Sequence, residues 1–246
     1  RRGTVVNSPH LGWREVALGE ILGARLGAHR PAHVFNDANA ITWGEHVAGA
    51  GVGIDDVLAV YVGTGIGAGV IARGLLIDGH SHCAGELGHV KVAWGDDAAP
   101  CACGQRGCVE AYVGGRAVAT AITAALTGPR PPTTRALVLA GGDGSAVTPG
   151  HVDAAAGEGD PWALEMWSRL APLLAVALGN AIAILNPRRL ILGGGMLSRT
   201  PVLRAQVEVA LMLAAPIACT EALEIVDAVL GDDAGLVGAA DLARRG

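Results

Sequence analysis

Three cysteines and one histidine form the part of this sequence with the most specific chemistry. Cys101, Cys103 and Cys108 lie within eight residues, and His89 lies twelve positions before the first of them. Thiolate sulfur and imidazole nitrogen are ligands that Zn²⁺ prefers, and this set completes the closed tetrahedral shell of a structural site. The alternative is a surface loop with free or disulfide-bonded cysteines. Cys101 and Cys103 are too close in sequence to pair easily, so we favour zinc.

A glycine-rich segment from Gly63 to Gly69 is a second candidate site. It fits a loose dinucleotide-binding fingerprint, but that fingerprint must open a helix, and the residues that follow favour a β-hairpin. In a strand–turn–strand loop, the bare N–H groups of Gly63, Thr64 and Gly65 can approach phosphate oxygens, and the Thr64 hydroxyl adds a donor. A tight hairpin without a ligand is the alternative, because glycines are common in turns.

Asn36 and Asp37 lie between the apolar pair Val34-Phe35, which predicts a short strand, and a helix predicted to run through Ala48. A carboxylate at the carboxyl end of a strand is well placed to act as a general base. Asn and Asp are also preferred helix N-caps. Spacing alone favours the cap, and one of the two residues can cap while the other functions.

The elements that must position these residues follow from apolar periodicity. Helices are predicted at 14–28, 108–126, 160–186, 200–214 and 234–245, and strands at 57–62, 189–192 and 223–229, with a hairpin over 69–77. Strands that alternate with helices predict an α/β fold, a layered sheet with helices on its faces. The strand at 189–192 runs into Gly193, Gly194 and Gly195, which by themselves predict a plain strand–turn–helix junction.

Composition and charge exclude several classes of protein. The formal net charge is −5 and no basic tract is present, so nothing supports binding of nucleic acid through its phosphates. The longest apolar run, Leu170 to Leu185, contains Pro172 and is too short to span a membrane comfortably, so it predicts a buried helix. Five cysteines with a predicted zinc site indicate a reducing cytoplasm. Lys91 is the single lysine among eighteen basic residues, a bias from which we predict no chemistry.

Four motifs in register resemble the ROK family of bacterial sugar kinases and sugar-responsive repressors. They are Asn36 to Ala40, Gly63 to Gly69, Gly85 to His89 with the cysteine motif through Glu110, and Leu192 to Gly195. The resemblance implies an actin-like ATPase (ribonuclease H-like) fold of two lobes. It also implies that the family's upstream Asp-x-Gly-Gly-Thr phosphate loop is missing, which leaves the first lobe incomplete. Residues 1–40 are then the rest of that lobe, with helix 234–246 packing on it, and residues 41–233 form the second lobe with the zinc loop.

The resemblance also implies roles for the candidate residues in an ATP-dependent hexose kinase of the glucokinase type. Asp37 is then the catalytic base. The sugar is held by Asn36, Asp37, Glu86, His89 and Glu110. The phosphates of ATP, with Mg²⁺, lie at Gly63, Thr64 and Gly65, and the adenosine lies at Gly193, Gly194 and Gly195. Zinc, bound by His89 and the three cysteines, is structural and clamps the sugar pocket.

Other functions fit the same resemblance. The chain is alternatively the sugar-sensing domain of a ROK repressor, or a truncated remnant without catalysis. Retention of Asp37 and Thr64 favours the kinase, because a sensor needs neither a base nor a phosphate loop. We expect a cytoplasmic homodimer with a hexose substrate and no contact with nucleic acid or membrane. Without the upstream loop, we expect weak sugar binding and no phosphoryl transfer from residues 1–246 alone.

Overall fold

The computed structural model describes residues 3–8, 11–27 and 32–245. The strands are β1 Val5–Ser8, β2 Trp13–Val16, β3 Val57–Val62, β4 Ile66–Ala72, β5 Leu75–Leu76, β6 Arg189–Gly193 and β7 Glu224–Asp227. The helices are α1 Leu18–Leu26, α2 Asp37–Ala48, α3 Glu110–Val113, α4 Gly115–Thr127, α5 Arg135–Leu139, α6 Pro149–Gly157, α7 Pro161–Leu185, α8 Pro201–Ala214, α9 Ile217–Thr220 and α10 Ala234–Arg245. Helices and strands alternate through much of the chain, as the predicted α/β class requires.

A five-stranded sheet in the order β5-β4-β3-β6-β7 forms the centre of the structure. The pairs β3–β6 and β6–β7 are parallel, and β3–β4 and β4–β5 are antiparallel. The predicted strand over 57–62 is confirmed as β3; nearly all of its side chains are buried, as expected for a central strand covered on both faces. The predicted hairpin is confirmed as β4–β5, and its turn residues Arg73 and Gly74 both have positive φ angles.

The two faces of the sheet carry different helices. The larger apolar core includes α7, whose Trp167, Leu174 and Leu178 are fully buried. α7 is long and apolar enough to cross a membrane by length and composition, but its buried side chains agree with the predicted core helix. The opposite face holds the smaller core around Trp43 of α2.

Helix α10 packs along α2 at a separation that only glycine allows. A Cβ at Gly44 would collide with the carbonyl oxygen of Ala234, and a Cβ at Gly238 would collide with that of Ala40. The predicted helix over 234–245 is therefore confirmed, and its partner is the helix that begins at Asp37. The division into lobes at residue 40 stays a prediction; α2 runs across that position.

Three local predictions are wrong. The helix predicted from residue 14 begins at Leu18, because Trp13–Val16 pair with β1 as an antiparallel strand. Residues 34–35 form no strand, since no described strand pairs with them. The helix predicted over 108–126 begins at Glu110 and is interrupted at Gly114. The presence or absence of a pairing strand decides the first two, and local apolar periodicity does not report it.

Three helices are absent from the sequence prediction: α5, α6 and the single-turn α9. α5 and α6 lie between α4 and α7. The start of α6 nevertheless has a readable signal: Thr148 and His151 form a reciprocal capping box with Pro149 at the first turn. All three helices are short, so their apolar residues do not establish a helical period.

Candidate functional site

The four predicted zinc ligands converge on one point of the structure. The ligand atoms of His89, Cys101, Cys103 and Cys108 all lie within 4.8 Å of one another. The Cys101 sulfur is 3.6 Å from His89 Nδ1, and the Cys103 and Cys108 sulfurs are 3.7 Å apart. Zinc–sulfur bonds of about 2.3 Å in a tetrahedron place two sulfurs about 3.8 Å apart. The residues present therefore fit a Zn²⁺ ion, and zinc binding itself stays a prediction.

Glycine turns shape the loop that presents the cysteines. Gly104 and Gly107 both have positive φ angles, which residues with a side chain rarely adopt. The N–H of Cys101 donates to the carbonyl of Gln105 at 2.7 Å and closes the turn. A Cβ at Gly107 would collide with the carbonyl oxygen of Ala93, so that position has no room for another residue. The spacing of the cysteine motif thus follows from the geometry of its turns.

The thiols of the cluster differ in their affinity for protons. Loss of solvation raises the pKa of the Cys101 thiol to about 12; the backbone N–H of Cys103 acts to lower it, and hydrogen bonds with the Cys103 and Cys108 side chains act to raise it. Loss of solvation also acts to raise the pKa of Cys103, but the N–H of Gln105, the neighbouring thiols and the charge of Lys91 together lower it. Zinc binds thiolates, so metal binding must displace the proton that Cys101 retains.

His89 links the metal cluster to a cavity. Its Nδ1 faces Cys101, and its Nε2 lies 3.7 Å from Oε2 of Glu86. A histidine bound to a metal through one nitrogen keeps the other free for a hydrogen bond. The geometry places Nδ1 beside the other predicted zinc ligands and Nε2 beside Glu86 of the cavity wall, a distinction that the sequence leaves open.

The cavity beside His89 has a volume of about 730 Å³, within the range of small-molecule sites. All five predicted sugar-binding residues line it: Asn36, Asp37, Glu86, His89 and Glu110. Of the predicted nucleotide-binding residues, Gly63, Thr64, Gly65 and Gly194 line it, whereas Gly193 and Gly195 do not. Residues separated by more than 150 positions in sequence thus share one cavity.

Glu110 joins the cavity to the glycine loop. Its Oε2 accepts a hydrogen bond from the N–H of Ile66 at 2.8 Å, directly after Gly65. A Cβ at Gly65 would lie 2.5 Å from the same oxygen, so the carboxylate occupies the space that a side chain would need. The N–H groups of Gly115 and Arg116 donate to the carbonyls of Gly63 and Thr64. The loop is therefore held by the start of α4 as well as by Glu110.

The sequence leaves open which of Asn36 and Asp37 caps helix α2 and which is available as a base. Asn36 is the N-cap of α2, and its side chain accepts from the N–H of Asn39 at 3.1 Å. Asp37 is the first helical residue, and its Oδ1 accepts from the N–H of Ala38 at 2.8 Å. Its side chain is exposed toward the cavity. The cap therefore belongs to Asn36, and Asp37 is available for chemistry.

The three glycines after β6 have different surroundings. Gly194 has a φ of +91°, and a Cβ there would collide with the backbone of Val62. Gly193 lies against the Tyr61 ring, and nothing lies within 4 Å of a Cβ at Gly195. The close approach of β6 to β3 is by itself enough to require glycine at position 194. The open space at Gly195 leaves its backbone accessible.

Arg116 is a cavity residue that the sequence analysis missed. Among the described residues that line the cavity, it carries the one permanent positive charge. Asp37, Glu86 and Glu110 line the same cavity, so their negative charge faces a single guanidinium. The signal was available in its position six residues after Glu110, at the start of a helix, but a lone arginine there is usually a solvated surface residue.

Comparisons with known proteins agree with these observations. Residues 1–246 match the ROK family. A glucokinase of Streptomyces coelicolor is 34% identical over 253 residues, which cover 100% of this chain and 76% of that protein. The crystal structure of a ROK family glucokinase from Streptomyces griseus in complex with glucose and AMPPNP is similar, with a TM-score of 0.82 and 33% identity over 100% of this chain and 78% of that one. A ROK family transcriptional regulator, a homolog of the E. coli MLC protein, has a TM-score of 0.81 and 25% identity, covering 98% of this chain and 58% of that one.

Proposed function

The chain belongs to the ROK family and has its actin-like α/β fold, and on that premise we propose that it is an ATP-dependent hexose kinase. The proposed reaction transfers the γ-phosphoryl group of ATP to a hexose, most simply to the 6-hydroxyl of glucose. The observation that carries the proposal is the single cavity in which carboxylates suited to sugar hydroxyls meet a glycine loop suited to phosphate. Glucokinases of similar sequence and structure support glucose as the sugar.

The acceptor half of the cavity suits a polyol. Each sugar hydroxyl both donates and accepts, so a site that holds it needs carboxylates, amides and N–H donors together. Glu86 and Glu110 supply acceptors, Asn36 supplies both functions, and Nε2 of His89 supplies an N–H. A site built this way rejects analogues that lack a hydroxyl, because its own polar groups are then left unpaired.

Asp37 is the proposed general base. The attacking hydroxyl oxygen forms a bond to the γ-phosphorus while the bond from that phosphorus to the β,γ-bridging oxygen breaks and ADP leaves. The hydroxyl proton passes to the Asp37 carboxylate. The hydrogen bond from Ala38 holds Oδ1, and we assign the proton to Oδ2. The exposure of Asp37 toward the cavity supports this role.

Phosphate binding is assigned to the loop between β3 and β4. The N–H groups of Thr64 and Gly65 and the Thr64 hydroxyl can donate to phosphate oxygens, whereas the N–H of Gly63 donates to the carbonyl of Gly65 at 2.9 Å. Mg²⁺ is expected to accompany the nucleotide. Arg116 adds the positive charge that offsets the three carboxylates as the anionic phosphate chain enters. Gly193, Gly194 and Gly195 are assigned to the adenosine, and the open surface at Gly195 supports that assignment.

Zinc has an architectural part in this proposal. His89 and the three cysteines hold it, and it supplies a rigid cross-link between the cysteine loop and the cavity wall. Because Nε2 of His89 faces the cavity, the metal orients a residue that contacts the sugar. The ion takes no part in the chemical step.

A sugar-sensing domain is the second candidate, because a ROK transcriptional regulator has nearly the same TM-score as the glucokinase. Both proteins need the sugar pocket. Thr64 and Arg116 beside Asp37 favour the kinase, since a sensor has no phosphate to bind. A measurement of phosphoryl transfer therefore distinguishes a kinase from a sugar-sensing domain.

The lobes, the oligomeric state and the cellular compartment complete the proposal. We propose that residues 1–40 and α10 form one lobe and residues 41–233 the other; the close packing of Gly238 on Ala40 supports the return of α10 to the first lobe. We also propose a cytoplasmic homodimer. Free thiols at the metal cluster suit a reducing compartment, and light scattering of the purified protein measures the oligomeric state.

A coupled assay of sugar-phosphate formation tests the function. Residues 1–246, alone and joined to an upstream Asp-x-Gly-Gly-Thr phosphate loop of the family, are incubated with ATP, Mg²⁺ and a panel of hexoses. Product is measured for glucose, mannose, fructose and N-acetylglucosamine, and turnover is expected from the joined protein. We expect ATP-dependent glucose 6-phosphate formation that is lost in Asp37→Asn. Saturable sugar binding without turnover would favour the sensing domain instead.

A further inference from the structure

The single lysine of the chain lies at the metal cluster. Nζ of Lys91 donates to the sulfur of Cys108 at 3.0 Å. The two residues form an antiparallel bridge, and the N–H groups of Val92 and Val109 donate to Gly107 and Val90 on either side of it. Backbone pairing therefore places the two residues directly opposite each other, which brings the sulfur within reach of the ammonium.

The net charge of a zinc-bound cluster gives the contact between Lys91 and Cys108 an electrostatic role. Three thiolates and one Zn²⁺ sum to a net charge of −1, and the neutral imidazole of His89 adds nothing. Cys108 has no exposed surface, so solvent cannot stabilise its sulfur. A buried charge is costly unless it is paired and hydrogen-bonded. The ammonium of Lys91 brings the net charge of the assembly to zero at the sulfur that water does not reach.

The residue type suits this position. An ammonium is a compact point charge, whereas a guanidinium is a planar fork that matches carboxylate or phosphate. All seventeen other basic residues of the chain are arginine, and among the described residues the lysine is the basic residue that donates to a single sulfur. The alternative is a surface lysine that lies across the loop. Partial burial of Lys91 and the short N–S distance favour the specific contact.

We propose that Lys91 is a positioning residue of the zinc site, which neutralises the three-thiolate cluster through Cys108 and thereby sets its affinity for zinc. This inference rests on the zinc site of the proposed function. Lys91 is neither a metal ligand nor a cavity residue, so its effect on sugar binding passes through the metal. Partners that surround a metal site in this way commonly change metal affinity about 10–100-fold when they are replaced.

Metal titration of Lys91 variants tests the proposal. Lys91→Met and Lys91→Gln remove the charge at similar length, and Lys91→Arg keeps it. Zinc affinity is measured by competition with a chromophoric chelator. The cobalt form reports the thiolates directly through its sulfur-to-metal charge-transfer absorption. We expect affinity about 10–100-fold weaker in Lys91→Met and Lys91→Gln, a shifted cobalt spectrum, and recovery of most of the affinity in Lys91→Arg.

Arg130→Gln is the matched control, because it removes one positive charge at an exposed residue that belongs neither to the cluster nor to the cavity. Unchanged zinc affinity and cobalt spectra in Lys91→Met and Lys91→Gln would overturn the proposal. So would equal losses in Lys91→Arg and Lys91→Met, since the charge would then be irrelevant. A wild-type protein that binds no zinc would refute the zinc site itself, and phosphoryl transfer, measured separately, would still test the kinase.

Discussion

Individual side chains carry most of the proposed chemistry, and their roles depend on which atom faces which neighbour. Asn36 takes the helix cap, which leaves Asp37 free to face the cavity. His89 turns Nδ1 to the cysteines and Nε2 to Glu86. For each of these residues the sequence predicts the functional side chain, and the fold shows which of its atoms faces which neighbour.

Replacing Asp37 by asparagine tests the base. The amide still hydrogen-bonds but cannot accept a proton, so we expect kcat to fall by about 10²–10⁴ while sugar affinity stays within about tenfold. Steady-state kinetics and calorimetric sugar binding measure the two effects separately. Asp232→Asn, an exposed aspartate that does not line the cavity, is the control. A near-normal kcat in Asp37→Asn would falsify the assignment.

Replacing Arg116 by glutamine tests the phosphate contact. Hydrogen bonds to a charged group contribute about 1.5–3 kcal/mol, so we expect the Kd for ATP to rise about tenfold to a hundredfold. Sugar affinity should not change. Titration with ATP, ADP and adenosine measures the effect, which should be absent for adenosine. Arg130→Gln carries the same charge change, and equal ATP affinity in the two variants would remove Arg116 from the site.

At the scale of elements, the turn between β3 and β4 is held by α3 and α4, which belong to a different part of the sequence. Glu110 at the start of α3 receives the Ile66 N–H, and α4 donates to Gly63 and Thr64. The carboxylate that faces the sugar thus also positions the phosphate loop. We expect changes in this turn to disturb sugar binding, although its proposed ligand is the nucleotide.

A pair of glycine variants tests this coupling. In Gly65→Ala the new Cβ would lie 2.5 Å from Glu110 Oε2, so the carboxylate must move and release the Ile66 N–H. An unsatisfied buried donor costs about 1–3 kcal/mol, and we expect a comparable loss in the free energy of unfolding together with weaker hexose binding. In Gly63→Ala nothing lies within 4 Å of the Cβ, so stability and hexose affinity should be kept. Denaturant unfolding and hexose titration compare the two; identical behaviour would contradict the coupling.

At the scale of the whole molecule, one cavity is assembled from distant segments. The segments that reach it include the first turn of α2, the β3–β4 loop, the segment before the cysteine loop, α3, and Gly194 after β6. The central sheet makes this convergence possible, because β3 and β6 are parallel neighbours and their carboxyl ends meet at one edge. The four predicted zinc ligands lie next to this edge, because His89 belongs both to the cluster and to the cavity wall.

Loss of zinc should therefore affect the sugar-binding cavity as well as the cysteine loop. We expect about one equivalent of zinc per chain in metal analysis of the wild-type protein, and loss of both metal and sugar binding in Cys103→Ser. Cys83→Ser changes an exposed cysteine outside the cluster and should change neither property. Stoichiometric zinc that persists in the double variant Cys101→Ser/Cys108→Ser would show that the ligands lie elsewhere.

Much of the fold could be predicted from the sequence, namely the elements that a local pattern of apolar or turn residues specifies. The apolar run of β3, the long apolar pattern of α7 and the turn residues between β4 and β5 predict their elements close to the observed bounds. β2 was not readable, because its strand conformation depends on pairing with β1. The short α5 and α6 were missed because their few apolar residues set no period.

The sequence by itself determined the family and predicted the four candidate zinc ligands that the structure brings together, because residue type and short spacing are chemical properties of a few neighbouring residues. Only the tertiary structure decided that Arg116 lines the cavity, that Glu110 holds the Ile66 N–H, and that Lys91 donates to Cys108. Each of these contacts joins residues from different elements. Their distance in space depends on how the whole chain packs around its sheet, which no local pattern encodes.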